Sequence, residues 1–245
     1  MAATSFVAAL LQAANGFGFA VMAVPLFLLF AEPTQAIQLV IIVTLALSVV
    51  VLPGLHDAID RSLMVRLSIG TLVGLPFGLA AFDYADPILT RSAIGIIILA
   101  FAAVLTITRW RQRPDLLALR PGRDIGAGVV SGVATALTGM SGPPVLIYLM
   151  LAGAPQRAVR ATLLAFFALS YAATLIAHAA TIGVARGVWL GAATLVPFVW
   201  GGGVIGRRMG DRMGEQAAAT LALIVLVATG LYTVAVAIHL ALRGA

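Results

Sequence analysis

Two short stretches hold the residue types that could do chemistry: Asn15-Gly16-Phe17-Gly18 and Thr138-Gly139-Met140-Ser141-Gly142-Pro143-Pro144. Each interrupts a long apolar run. A helix that restarts after such a break presents unpaired N–H groups and the positive end of its dipole, a combination that attracts anions. In the second stretch Ser141 or Gly142 suits an N-cap. Pro143 suits the first helical turn, where its missing N–H costs nothing. In the first, Asn15 or Gly16 fills the capping role and Gly18 allows close backbone approach. The arms that end at the same breaks leave carbonyls able to accept a cation or a substrate donor. For a single break the plain alternative is glycine in a kinked helix, packed on small neighbours.

The elements that must position these stretches are membrane helices. Hydrophobic residues make up 62% of the 245 positions and charged residues 10%, with a mean hydropathy of +1.09, so the chain reads as a polytopic membrane protein. Its net charge of +6 comes with basic residues confined to short gaps between apolar runs, which are topology signals; no nucleic-acid partner is expected. All fifteen basic residues are Arg and no Cys is present, which excludes disulfides, thiolate metal sites and cysteine catalysis. The first apolar run follows Met1 without a basic n-region, so it is expected to belong to the mature fold. Eight apolar segments emerge, at about 3–31, 34–53, 63–82, 88–109, 124–151, 156–181, 187–206 and 215–242, the longest polar stretch running from Arg111 to Asp124.

The two halves repeat. Pro33 and Pro155, Ala36 and Ala158, Ser48 and Ser170, and His56 and His178 share an offset of 122; Gly70 and Pro76 then match Gly191 and Pro197 at 121, before extra residues around 201–206 shift the register. Matched breaks in corresponding hydrophobic segments of two halves point to the substrate site of a transporter. Arginine distribution chooses the topology. Eight full crossings divide the arginines nine to six between the two faces; re-entrant first and fifth segments divide them twelve to three, leaving only Arg91, Arg186 and Arg243 opposite. The second arrangement obeys the positive-inside rule and puts the Arg-rich loops in the cytoplasm. The expected fold is therefore all-α: two inverted repeats, 1–110 and 124–245, joined by a cytoplasmic linker at 111–123. Each repeat is a re-entrant helical hairpin plus three transmembrane helices, with both termini outside and the two tips meeting near the midplane.

The remaining polar residues are sparse. Ser48 and Ser170 lie about 21 Å into their segments at helical rise, where they line the site or bond their own backbones. Arg160, about one turn inside the sixth segment, either faces inward to draw anions or snorkels to lipid phosphate. His56 and His178 read as interfacial structural residues rather than proton carriers. Gly70, Gly74 and Gly78 form a helix-packing ridge, with homodimerisation a second option. Trp110 and Trp189 read as interfacial anchors. Every Asp and Glu maps to a segment end or loop, leaving an interior without carboxylates that suits an anionic substrate and offers neither a proton relay nor ligands for a metal.

Through the stretch from Asn15-Gly16-Phe17-Gly18-Phe19 to Pro25, its partner Gly139-Met140-Ser141-Gly142-Pro143-Pro144, and the spacing of the repeats, the chain resembles the TauE/SafE family of sulfite and organosulfonate exporters, bacterial membrane permeases. Phe17 and Phe19 interrupt a first tip that in family members is often richer in glycine. The resemblance spans nearly the whole chain. It implies movement of a small sulfur-containing or carboxylate-bearing anion across the inner membrane, with the bilayer and that anion as partners and no catalytic reaction or cofactor. Asn15, Gly16, Phe17, Gly18, Gly139, Met140, Ser141 and Gly142 are expected to contact the substrate, with Thr138, Ser48, Ser170 and Arg160 around it.

The competing reading is an enzyme. Gly139-Met140-Ser141-Gly142 is a G-x-S-G sequence, the nucleophile pattern of rhomboid-like intramembrane serine proteases, and such a site needs a His within hydrogen-bond reach of the serine. The expected topology separates Ser141, near mid-depth, from His178 near the outer end of its segment.

Overall fold

The computed structural model of the chain describes residues 1–52, 59–83 and 119–210, with isolated helical positions between 96 and 106 and between 220 and 236. His56, Trp110, residues 111–118 of the linker and most of the segments at 88–109 and 215–242 lie outside the described residues. Among the described residues eight continuous helices follow in order: α1 (Ala2–Asn15), α2 (Phe19–Phe27), α3 (Pro33–Val51), α4 (Arg61–Asp83), α5 (Pro121–Thr138), α6 (Gly142–Leu151), α7 (Gln156–Thr181) and α8 (Arg186–Gly210). No strand occurs among the described residues.

Both expected breaks are present and end in the same way. Gly16 caps α1 in the left-handed region at φ 87°, its N–H donating to the Gln12 carbonyl at 2.7 Å. Gly139 caps α5 at φ 70°, its N–H donating to the Thr135 carbonyl at 2.8 Å. A side chain at either position would be strained, which explains why glycine stops both helices. The helices that restart, α2 with 9 residues and α6 with 10, reach only about 14 to 15 Å, half of a hydrocarbon core of about 30 Å. By contrast α3, α4, α7 and α8 are each long and apolar enough to cross a membrane. Large apolar side chains face outward on α4 (Leu72, Phe77) and α8 (Trp189, Phe198, Trp200), a surface suited to lipid and to little else.

Glycines decide which helices touch. A Cβ at Gly70, Gly74 or Gly78 of α4 would run into the carbonyl oxygens of Ile125, Val129 and Val133 on α5, and one at Gly202, Gly206 or Gly210 of α8 into those of Phe6, Leu10 and Ala14 on α1. Residue numbers rise together in both pairs, so α4 lies parallel to α5 and α8 parallel to α1. The ridge on α4 is thus consumed inside the chain, as the packing reading expects. The broken segment of each half lies on a long helix of the other half, while α3 and α7 meet between them.

The two pairs make like contacts. Gly74 meets the residue ten before the tip glycine Gly139, and Gly202 the residue ten before Gly16; Gly78 and Gly206 each meet the residue six before. Gly191 faces the Leu39 side chain.

Candidate functional site

The two breaks come together. A Cβ built on Gly142 lies 4.0 Å from the Phe17 Cβ and 2.9 Å from the Phe167 ring, so the start of α6 abuts the first tip and the middle of α7. Asn15, Thr138, Met140 and Ser141 are buried at 6% exposure or less, Gly16 and Gly142 are buried, and Phe17 and Gly18 are half-buried. Each tip is seated on a long helix of the opposite half: Gly16 against Arg160 of α7, with 2.8 Å to its Cα from a built Cβ, and Gly139 against Ile37 of α3, 3.3 Å from its Cγ2.

Around the second tip runs a chain of hydroxyls. Ser141 Oγ donates to Ser170 Oγ at 2.7 Å, and Ser131 Oγ donates to the Ser141 carbonyl at 2.6 Å while lying 3.1 Å from Ser141 Oγ. The Tyr171 hydroxyl donates to the Gly139 carbonyl at 3.1 Å and accepts from the Ser141 N–H at 3.4 Å. Ser141 is the N-cap, yet its side chain makes no capping bond. Gly142, Pro143 and Pro144 fill the first three helical positions of α6. Of the four N–H positions at this helix start, two are proline and a third points to Tyr171. Hydroxyls, more than amides, therefore make up the polar surface here.

The first tip is built differently. The expected caps, Asn15 and Gly16, belong to the end of α1, and the start of α2 is satisfied by Gln12, whose Oε1 accepts the Phe19 N–H at 3.2 Å. That bond fixes the amide orientation and turns Nε2 into a donor. Gln12 Nε2 and Asn15 Oδ1 are buried and make no hydrogen bond among the described residues, an arrangement costly unless a ligand or water completes it. Beside them is Arg160, at 7% exposure. Its Cα, Cβ and Cγ lie against Gly16, and its guanidinium is always charged.

Other expected residues divide. Ser170 joins the second tip, whereas its repeat partner Ser48 donates to the Thr44 carbonyl of its own helix at 2.9 Å, and Thr138 to the Ala134 carbonyl at 2.7 Å. His178 is fully buried in the last turn of α7 and engages the Ala136 backbone. The partners of the Ser141 hydroxyl are serines. Contrary to expectation, the interior does contain a carboxylate: Asp124, in the first turn of α5, is fully buried. It is ion-paired with Arg66 of α4 and accepts the Tyr148 hydroxyl of α6, while Arg66 also donates to Ser62 Oγ at 2.6 Å. Position at a segment end did not imply exposure, because α4 closes over that end and supplies the countercharge.

Sequence reasoning missed Gln12, Ser131, Tyr171 and Phe167. For Gln12 a signal existed, since an amide in a run of Ala and Leu inside the bilayer is a functional candidate by its rarity. Among the described residues no group of three His, Cys, Asp or Glu is placed to hold a metal ion.

Comparison with known proteins follows this geometry. No curated protein and no solved structure matches the chain. The family model described as sulfite exporter TauE/SafE matches residues 1–233. With two matched helix breaks brought into contact inside an all-helical, multi-pass membrane protein, and a family match over nearly its entire length, the chain belongs to the TauE/SafE family of sulfite exporters.

Proposed function

We propose that the protein exports a small oxyanion, such as sulfite or an organic sulfonate, across the bacterial inner membrane by alternating access. Its two inverted repeats, 1–110 and 124–245, rock against one another around the tips, with the Arg-rich loops in the cytoplasm. The observation that carries this reading is the buried Arg160 seated on the first tip while the second tip touches Phe17. The buried amide of Gln12 at the first break and the serine hydroxyls at the second supply hydrogen-bonding groups for such an anion. The hydroxyls of Ser141, Ser170 and Ser131, the Gln12 amide and the Arg160 guanidinium are the groups that recognise the oxyanion, with Asn15, Gly16, Phe17, Gly18, Gly139, Met140 and Gly142 forming its walls. The cross-packing of the halves supports the repeat, because a two-fold relation requires that each broken segment make the same contact on the opposite half.

Transport without a chemical step suits the Ser141 hydroxyl, which serine partners leave without a general base. The test is flux in proteoliposomes with labelled sulfite, taurine, thiosulfate and acetate, with and without a pH gradient. Saturable sulfite or sulfonate flux in the purified protein is expected. Absence of flux for every anion, or cleavage of a membrane peptide abolished by Ser141→Ala, defeats the proposal.

A further inference from the structure

The two orphaned atoms of the first break are of opposite kind. Gln12 Nε2 is a donor, its direction set by Oε1, which accepts the Phe19 N–H at 3.2 Å. Asn15 Oδ1 is an acceptor, and neither atom has a hydrogen-bond partner among the described residues. Gln12 is 1% exposed and Asn15 6%. Three residues apart on α1, they are neighbours on one face of the helix, with about 5 to 6 Å between Cβ atoms. They stand where the chain turns through Gly16 and Gly18 into α2.

A fully ionised oxyanion answers half of this demand. Sulfite dianion offers acceptors alone, so it takes the Gln12 donor and sets its own lone pairs against Asn15 Oδ1. Hydrogen sulfite in its S–OH form answers both, one oxygen accepting from Gln12 Nε2 while the hydroxyl donates to Asn15 Oδ1. A dianion also costs more to desolvate than a monoanion of the same size. Of the helices packed near this break, α2 and α3 carry no charged or titratable side chain. Besides the exposed Arg157 and Arg186 at their starts, α7 brings Arg160, Tyr171 and His178, and α8 brings Arg207 and Arg208. Tyr148 lies on α6, and Asp124 is held by Arg66 at the far end of α5, beside Arg123. No carboxylate on these helices stands at the break to carry a proton.

Resting on the transport reading above, we propose that Gln12 and Asn15 form the subsite that selects the protonated monoanion, so that the exported species is hydrogen sulfite and its proton leaves on the substrate. Both atoms are shielded from solvent, so the ligand reaches them through the movement of the halves that the transport reading already requires.

The experiment measures exchange of labelled sulfite in proteoliposomes at equal internal and external pH, over a series spanning the ionisation of hydrogen sulfite. Half-saturation in total sulfite is expected to be level on the acid side of that ionisation and to rise about tenfold per pH unit on the alkaline side, because only the protonated fraction binds. Methanesulfonate, a monoanion with methyl in place of the hydroxyl, does not titrate in this range. It should inhibit about fivefold or more weakly than hydrogen sulfite binds, since it leaves Asn15 Oδ1 unpaired, with no inhibition as the limit of that preference, and any inhibition should be independent of pH. Asn15→Leu removes the acceptor without adding charge and should raise half-saturation for hydrogen sulfite about fivefold or more. If that variant fails to fold, the two wild-type series decide the matter. A half-saturation that is constant or falls as pH rises overturns the proposal, as does methanesulfonate binding as tightly as hydrogen sulfite. Methanesulfonate inhibition that follows the sulfite pH curve overturns it too, because the titrating group then belongs to the protein. So does unchanged half-saturation in folded Asn15→Leu, which would leave the two amides holding an internal water. In each of these cases exchange persists and the transport reading stands. No exchange of any anion by the wild type instead removes the transport reading and this inference with it.

Discussion

Arg160 and Ser141 make different demands on a bound anion, and substitutions separate them. The Arg160 guanidinium supplies charge and a forked donor, so Arg160→Gln removes a charge-assisted hydrogen bond worth about 1.5 to 3 kcal/mol and should raise the sulfite half-saturation concentration roughly 10- to 100-fold. Arg160→Lys keeps the charge but not the planar fork, and should fall between the two. Gly16 meets Arg160 through Cα, Cβ and Cγ, atoms that both replacements retain, so tip packing survives. Thermal stability of the purified variants within a few degrees of wild type would check this. Ser141 shares its hydroxyl with Ser170 and Ser131. Ser141→Ala and Ser170→Ala should therefore each weaken half-saturation by less than about tenfold, and the double variant by no more than the worse single one, because both remove the same bond. Full additivity in that cycle would show that the two serines act separately.

At the level of elements, the helix breaks were legible because glycine and proline punctuate apolar sequence for local reasons: αL geometry at Gly16 and Gly139, and a missing N–H at Pro143. What locality does not carry was lost. Capping of α2 by Gln12 depends on a bond over seven residues, and burial of Asp124 depends on α4, whose Arg66 lies 58 residues earlier in the sequence. Small-residue spacing repeats every turn, so only the partner helix shows which glycines of α4 and α8 make like contacts. Two predictions belong here. Gly142→Val must displace the Phe167 ring, 2.9 Å from the built Cβ, and Gly18→Val must adopt φ 120°; both should abolish sulfite flux while leaving membrane expression largely intact, read by flux and immunoblot together. Arg66→Ala strands a fully buried carboxylate, whereas Asp124→Asn leaves a side chain at 25% exposure that can hydrate. The first should lower stability by about 2 to 4 kcal/mol and the second by clearly less, with the double variant recovering part of the loss in a thermal-denaturation cycle.

Across the whole molecule, the first half's broken segment rests on α8 and the second half's on α4, while the tips meet between α3 and α7. An arrangement of this kind couples the halves, because each broken segment packs through close glycine contacts on a helix of the other half. The proposed alternating access requires the distance between the tips to change. The absence of cysteine makes that consequence measurable. The 4.0 Å between the Phe17 Cβ and the built Gly142 Cβ falls inside the range for a disulfide, about 3.5 to 4.5 Å. Phe17→Cys with Gly142→Cys should therefore cross-link under mild oxidant once Phe167 yields to the new side chain. The oxidised protein should bind sulfite or exclude it according to the trapped state but should not exchange it, and reductant should restore flux. If the oxidised, fully cross-linked protein exchanges sulfite at the rate of its reduced form, the tips do not separate during transport, and alternating access by relative motion of the two halves is wrong for this protein. Each single-cysteine variant, unable to form the bond, supplies the baseline against which arrest is judged.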